Sequence, residues 1–296
     1  MAGRIARGWE LFKQSWSVLS LDKELLIFPV LSTIACVLVL ASFAVPVLAI
    51  PELRNAVFQA AQEEQANGGF QAQAGGVISA VVGFLFYLAN FFVIVFFNTA
   101  LVSAALIRFR GGNPTVGDGL RAATARLPQI FAWALLAATV GIILRTLEER
   151  LSFLGRLIVG LIGVGWAVVT YLVVPTLAAE GLGPVAAVKR SAQLIRKTWG
   201  EALVGQMSLG IVGFLLVLPT ILFVIGSIFA GAYFESVWPV AIGIGLAVLY
   251  GVLASIITSA VQQIFLAAVY LYAAEGQTPA GFSQELLESA FRRKGE

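Results

Sequence analysis

Six long apolar segments alternate along the chain with shorter stretches that carry almost all of its charged residues. The apolar segments cover residues 25–51, 68–107, 127–144, 157–179, 202–234 and 236–274. Because a helix needs about 20 apolar residues to cross about 30 Å of hydrocarbon, this pattern predicts six transmembrane helices. The last segment is too long for one upright helix, so we expect it to tilt, to protrude or to break near Pro239.

Most basic residues fall on one side of the predicted spans. Fifteen of the 19 lie before the first span, after the second, after the fourth and in the tail. By the positive-inside rule that side is cytoplasmic, so both termini are predicted to be cytoplasmic, as an even number of spans requires. The first apolar run follows a charged segment and is too long for a signal-peptide core, which indicates an anchor and not a cleaved leader.

A short motif recurs where the second, fourth and sixth predicted spans end. The fourth and sixth spans end in Ala-Ala-Glu-Gly-x-x-Pro, and the second ends in the degenerate copy Arg-Gly-Gly-Asn-Pro. We call these motifs the elbows, and their residues are Arg110, Gly111, Pro114, Glu180, Gly181, Pro184, Glu275, Gly276 and Pro279. Glycine after a helix is free to take positive φ, and a proline there stops that helix or opens the next. The elbows are therefore predicted joints between membrane helices and surface helices.

An amphipathic segment follows each elbow, and another begins the chain. In the clearest one, Val188 and Ile195 share an apolar face while Lys189 and Arg196 lie on the opposite face. The N-terminal segment has the apolar positions Ile5, Trp9, Phe12, Trp16 and Leu19, and the C-terminal one has Phe282, Leu286 and Ala290. Basic helices with an aromatic apolar face are typical of the cytoplasmic headgroup region.

Together these patterns predict an all-α, polytopic membrane protein. Its six transmembrane helices form three hairpins, each preceded by a cytoplasmic-side interfacial helix, and a final interfacial helix closes the chain. One integral membrane domain spans residues 1–296. It begins with an interfacial helix (1–24) and a first hairpin (25–107). Residues 108–179 and residues 180–274 then each contain an elbow, an interfacial helix and a hairpin. The last interfacial helix covers residues 275–296.

The opening residues carry a family resemblance. The sequence RGWELFKQSWSVLSLDKELLIFPVLS resembles the start of an uncharacterised family of six-helix bacterial and archaeal membrane proteins. The unit of elbow and amphipathic helix is similar to the membrane domain attached to some glycerophosphodiester phosphodiesterases, whose soluble catalytic domain has no counterpart here. The resemblance implies a multi-pass protein of the cytoplasmic membrane of a bacterium or archaeon, and it implies no catalytic or ligand-binding residue.

Composition narrows the chemistry that such a protein can perform. The chain is 59% hydrophobic and 12% charged, whereas soluble domains are about 45–50% apolar and about 25% charged. It has no histidine and a single cysteine, Cys36, inside an apolar run, so hydrolase triads, zinc sites and thiol redox centres are poorly supported. We therefore predict no catalytic residue, no cofactor and no metal. We also predict no nucleic-acid partner, because the net charge is only +3 and the sequence has no separate basic domain.

Two sets of polar residues remain as candidates. Glu180 and Glu275 could form an acid/base pair, but the elbow after the second span has Arg110 in their place, which favours a structural role at the membrane surface. If the three hairpins surround a pseudo-threefold axis, Arg110 could pair with either glutamate. The second set is a candidate polar seam within the spans, which bonds neighbouring helices or lines a path: Asn90, Asn98, Thr170, Ser255, Ser259, Gln262 and Gln263.

The last predicted span carries small residues at every fourth position. They are Gly243, Ala247, Gly251, Ser255 and Ser259. Ridges of this kind let two helix backbones approach closely, so we expect neighbouring helices to cover the ridge.

Two functions fit this sequence. The first is a non-enzymatic membrane component that organises or assembles a complex, or shapes the bilayer, with lipid and a membrane protein or a second copy of the chain as partners. The second is a facilitator for a lipid or an uncharged solute along the polar seam, since transporters are often built from repeats. An intramembrane enzyme has the least support.

The orientation can be measured with engineered cysteines in a Cys36→Ser background. Gln65→Cys should react with an impermeant maleimide in intact cells, whereas Thr198→Cys should react only after the membrane is opened. The opposite pattern would overturn the predicted orientation.

Overall fold

A computed structural model describes the backbone of residues 2–67, 74–197 and 201–283, and the side chains of residues 9–59, 80–196 and 210–283. In these ranges the chain is helical and has no strand, which confirms the all-α prediction. The helices are α1 (Ala2–Leu21), a 3-10 turn (Lys23–Leu26), α2 (Ile27–Ala49), α3 (Pro51–Asn67), α4 (Ala74–Phe109), α5 (Val116–Thr124), α6 (Leu127–Arg150), α7 (Phe153–Thr170), α8 (Val173–Glu180), α9 (Pro184–Lys197), α10 (Glu201–Tyr233) and α11 (Trp238–Glu275).

Six helical stretches of the described chain are long and apolar enough to cross a membrane. They are Lys23–Ala49, Ala80–Phe109, Leu127–Arg150, Phe153–Glu180, Gly210–Tyr233 and Trp238–Glu275. This confirms the six predicted spans, and the protein is a multi-pass membrane protein. Helices α1, α5 and α9 coincide with predicted amphipathic segments, and their place at the membrane surface stays a prediction. Of the predicted last interfacial helix, Leu286 and Ala290 lie outside the described residues.

The fourth span is bent where the sequence predicted one continuous helix. Helix α7 ends at Thr170 and α8 begins at Val173, with a turn between them. Pro175 accounts for the bend, because a proline ring clashes with the carbonyl group four residues earlier and removes one N–H donor. The Leu172 N–H donates to the Ser191 hydroxyl of α9 at 3.0 Å, so a side chain of the next helix satisfies the backbone at the bend.

Helix α11 settles the question of the overlong last segment. Its 38 residues form one continuous helix, and Pro239 lies in its first turn, so the described helix contains no break. At 1.5 Å per residue it is about 57 Å long, roughly twice the hydrocarbon thickness. Toward its C-terminal end it is buried in protein at Ala260, Val261 and every residue from Ile264 to Leu271. Tilt or protrusion is what remains of the three predicted alternatives.

The chain packs as two compact units, each assembled from separate segments. The first comprises Met1–Val30, Ala100–Gly119 and Gln193–Glu296. Within it α1 packs on α10 and α11, and α10 packs on α11. Its largest fully buried side chains are Leu11, Leu19, Leu25, Phe28, Leu101, Leu194, Ile264 and Phe265.

The second unit comprises Leu31–Thr99 and Leu120–Ala192. Within it α6 packs on α7, and Trp133 stacks on Trp166 with ring centroids 6.1 Å apart. Leu88 packs with Ala134 and Ala138 of α6 in a small buried cluster. The predicted single domain of residues 1–296, with its internal boundaries, stays a prediction.

The small-residue ridge of α11 lies against α10. A Cβ atom added to Gly243 would come within 2.1 Å of the Ser227 Cβ, and Ala247 is buried. A Cβ atom added to Gly251 would lie 3.4 Å from the Thr220 hydroxyl oxygen. The ridge therefore packs on a neighbouring helix, as its spacing predicted.

Two glycine-to-alanine substitutions on α11 distinguish the effect of close helix packing on stability from the effect of helix propensity. Gly243→Ala forces a shift at Ser227 and should destabilise the protein by about 1–3 kcal/mol. Gly245→Ala is the matched control, because its Cβ would meet no described heavy atom within 4 Å, and it should cost nothing. Thermal unfolding in one detergent measures both. Equal melting temperatures would contradict the packing of this ridge.

Candidate functional site

The three elbow glycines end their helices in the same backbone conformation. Gly111, Gly181 and Gly276 have φ of 84°, 63° and 68°. The Gly181 N–H donates to the Leu177 carbonyl at 3.1 Å, and the Gly276 N–H donates to the Tyr272 carbonyl at 2.9 Å. Positive φ is the left-handed region that glycine enters at little cost, which is why this residue follows the last helical turn. The glycines thus adopt the conformation that the motif predicts.

The elbow prolines lie in three different local structures. Pro184 is the first residue of α9, the position that a proline without an N–H tolerates best. Pro114 precedes α5, which begins after a reciprocal cap in which the Thr115 N–H donates to the Asp118 carboxylate at 3.1 Å and the Asp118 N–H donates to the Thr115 hydroxyl at 3.2 Å. The expectation that Pro279 begins the next helix is wrong, because Pro279 opens a turn in which its carbonyl accepts from the Phe282 N–H.

Each elbow glutamate has a basic partner in its own unit. The Arg110 Nη2 atom lies 2.7 Å from the Glu275 Oε1 atom, one of the two pairings that the sequence suggested. Glu180 instead accepts from Arg190 of α9, with an Nε–Oε1 distance of 2.8 Å. The Arg126 guanidinium lies against Gly181, so that a Cβ there would come within 2.2 Å of it. Each carboxylate thus pairs with an arginine near its own elbow. These contacts give no support to an acid/base centre shared by Glu180 and Glu275.

The most buried ion pair of the described residues was not predicted. Asp22, only 8% exposed, accepts two hydrogen bonds from the Arg108 guanidinium, which is 26% exposed. Arg108 also donates to the Asn113 side chain at 2.7 Å. The pair joins the end of α1 to the end of α4 and to the elbow loop. The sequence pattern places Arg108 among the basic residues after the second span. The only hint of its partner in the sequence is that Asp22 directly follows an amphipathic helix.

The predicted polar seam is divided between the two units. Asn90 and Thr170, of the second unit, donate to carbonyl groups of their own helices, Phe86 at 2.9 Å and Trp166 at 2.8 Å. Asn98 is half-buried on α4. The other four residues, Ser255, Ser259, Gln262 and Gln263, lie on α11 in the first unit.

Three of those four line a crevice between α10 and α11. Ser255, Ser259 and Gln262, together with Thr258, form its polar wall, and Gly210 and Gly213 of α10 belong to the opposite wall. The crevice measures about 360 Å³. The Thr258 hydroxyl and the Gln263 side-chain oxygen are buried without a hydrogen-bond partner among the described residues. A buried polar atom without a partner costs about 1–3 kcal/mol, so these two side chains destabilise the described pair of helices unless another group bonds them.

The described residues offer no ligand set for a metal ion. Within residues 9–59, 80–196 and 210–283, no three His, Cys, Asp or Glu side chains lie close enough to share one. The predictions of no metal, no cofactor and no catalytic residue stay predictions.

The chain is related to a known protein family, but that family has no assigned activity. Residues 77–282, more than half of the chain, match the model of a family of unknown function (DUF6159). No curated protein matches the chain. The resemblance to the membrane domains of glycerophosphodiester phosphodiesterases stays an expectation.

The buried ion pair gives a measurable stability difference. Asp22→Asn leaves the Arg108 guanidinium without its counter-ion and should cost about 2 kcal/mol or more. Glu149→Gln is the control, since it breaks the exposed pair with Arg145 on α6 and should cost a few tenths of a kcal/mol. Unfolding in detergent measures the free energy of unfolding of both variants. Similar decreases would show that the Asp22–Arg108 pair does not stabilise the contact between α1 and α4.

Proposed function

The chain belongs to the DUF6159 family, whose function is unknown, and from the geometry of this chain we propose that it is a non-enzymatic integral membrane protein that organises or assembles a membrane complex. It lies in the cell membrane of a bacterium or archaeon with both termini in the cytoplasm. Its spans form three hairpins, with α1, α5 and α9 in the headgroup layer. The direct packing of α6 on α7 and of α10 on α11, each across a short connection, supports the second and third hairpins.

One flank of α7 carries this proposal. Gly160, Gly163 and Ala167 share that flank, because residues three and four apart lie on one helix face. A Cβ atom added to Gly160 or to Gly163 would meet no described heavy atom within 4 Å. The flank borders the face that packs on α6, where Val159 is buried and Trp166 stacks on Trp133. It is a narrow, smooth surface that the described chain leaves open.

Glycine at these positions is unfavourable for the helix, and no packing among the described residues offsets that cost. In a helix interior it is less favourable than alanine by about 1 kcal/mol. In a membrane, small residues allow two helix backbones to come into close van der Waals contact, which drives association where the hydrophobic effect between helices is absent. A transmembrane helix of another protein, or of a second copy of this chain, therefore fits the flank.

The polar chemistry of the second unit supports the same function. Asn90, Thr139 and Thr170 all direct their hydrogen bonds to carbonyl groups one turn earlier in their own helices. These bonds occupy the two threonine hydroxyl donors and one amide N–H of Asn90 without neighbouring helices. The described spans of this unit thus present apolar surface, which suits helix association.

A photo-reactive residue at Ala167, in the full chain and in native membranes, tests the proposal. It should give a discrete cross-linked product, and Gly160→Leu or Gly163→Leu should lower its yield at least about tenfold, because about 1.4 kcal/mol of lost association free energy has that effect. Gly165→Leu is the matched control, because it lies on the other side of α7 and its Cβ would also be free of described neighbours. Its yield should equal that of the unmodified chain.

A second function is favoured by the crevice between α10 and α11. Its wall of Ser255, Thr258, Ser259 and Gln262 offers hydroxyl and amide groups to an uncharged solute or a lipid headgroup, as a facilitator requires. The polar lining of this crevice, inside an otherwise apolar pair of spans, is the observation that supports it. If the Gly160→Leu and Gly165→Leu chains cross-link equally well, the assembly function is wrong and the facilitator becomes the better candidate.

A further inference from the structure

An apolar groove of about 450 Å³ lies between α1 and the pair α10 and α11, within the first unit. Its volume is in the range of pockets that bind small ligands, about 300–1,000 Å³. The residues that line it are Trp9, Phe12, Lys13, Trp16, Leu216, Tyr250, Leu253, Ala254 and Ile257. Neither the polar crevice nor the α7 flank shares a residue with it.

Aromatic rings of α1 form one wall of the groove. Trp9 and Phe12 stack with ring centroids 5.5 Å apart, and Phe12 and Trp16 with centroids 6.2 Å apart. The two indoles are still 46% and 41% exposed, although α1 packs on two helices. A row of stacked rings with one open side is suited to hold a flexible hydrocarbon chain.

The opposite wall shows where the groove lies along the membrane normal. Trp238, exposed at the start of α11, is an aromatic residue of the kind that marks a membrane interface. Tyr250 and Ile257 follow it by about 18 Å and about 28 Å of helix, at 1.5 Å per residue. With α11 close to the membrane normal and a hydrocarbon layer about 30 Å thick, the groove lies in the half far from Trp238 and reaches the headgroups there.

The charge at the groove favours an anion at that level. Lys13 is the charged residue among those that line it. Its ammonium group lies 3.3 Å from the Glu10 carboxylate, and both side chains are about half exposed, so this pair is weak and can rearrange. Deeper in the groove the Tyr250 hydroxyl already donates to the Leu216 carbonyl at 2.8 Å, which leaves an apolar interior.

We propose that this groove binds one glycerophospholipid of the bilayer, with an acyl chain between the α1 rings and α11 and the phosphate on Lys13. The apolar interior matches the acyl chain, the ammonium group matches the phosphate, and the depth along α11 places both at the level where such a lipid has them. This site goes beyond the proposed assembly function and does not depend on it.

Lipid titration of the purified full chain, followed by native mass spectrometry, tests the site. The probes are phosphatidylglycerol and a diacylglycerol with the same acyl chains. Lys13→Gln should weaken phosphatidylglycerol binding about fivefold, the effect of about 1 kcal/mol per basic residue near a lipid phosphate, and leave diacylglycerol binding unchanged. Lys23→Gln, an exposed lysine outside the groove, is the control and should change neither.

The acyl part of the site has its own pair of variants. Ala254→Leu fills the groove and should weaken both lipids, whereas Ala241→Leu, at an exposed position of the same helix, should weaken neither. Equal effects of Lys13→Gln and Lys23→Gln would mean that surface charge alone attracts the lipid. Full binding by a folded Ala254→Leu protein would place the lipid elsewhere. Either result overturns the proposal.

Discussion

The absence of water in the hydrocarbon layer is the constraint on which the whole structure depends. A backbone N–H or C=O group there has no solvent partner, so each segment must satisfy its own polar groups, and a helix does so within one segment. Polar side chains follow the same rule, as Thr99 bonds the Val95 carbonyl and Thr176 the Leu172 carbonyl. The bend at Pro175 is tolerated because Ser191 supplies the acceptor that the interrupted helix needs.

The same constraint concentrates specific interactions at the ends of the helices. An ion pair can be solvated there and a chain can turn, so the elbow glycines, Asp22 with Arg108 and Arg110 with Glu275 all lie at helix ends. These contacts join segments that are distant in sequence: the end of α1 to the end of α4, and the elbow after α4 to the end of α11. Hydrophobic contact alone would give little preference among such pairings, because lipid and leucine are equally apolar.

How far the sequence predicts this structure depends on the range of each interaction. The spans depend on local hydropathy, and the positive φ of Gly181 depends on its place after a helix, so both could be read from short windows. The Asp22–Arg108 pair joins residues 86 positions apart, and no local pattern identifies which acid meets which base. Helix α3 was missed because its polar sequence shows little periodicity, and the bend at Pro175 because proline is common in membrane helices. The residues of the polar seam belong to two units, which hydropathy could not reveal, since it identifies polar residues but not the helices that they face.

The role of a glycine in a membrane span depends on what surrounds it in the structure, not on the local sequence alone. Gly243 of α11 and Gly160 of α7 lie in equally apolar sequences, and a pattern of small residues surrounds each. At Gly243 a side chain would collide with Ser227, so the glycine is explained by packing inside the chain. At Gly160 the described chain places no heavy atom within 4 Å of an added Cβ, so none of the described packing compensates for the cost of glycine in a helix. The groove beside Trp9 and Trp16 presents the same contrast, since the chain stacks large rings and leaves one side of them open. We propose that a molecule from the membrane covers surfaces of both kinds, a second helix at the α7 flank and a lipid at the groove.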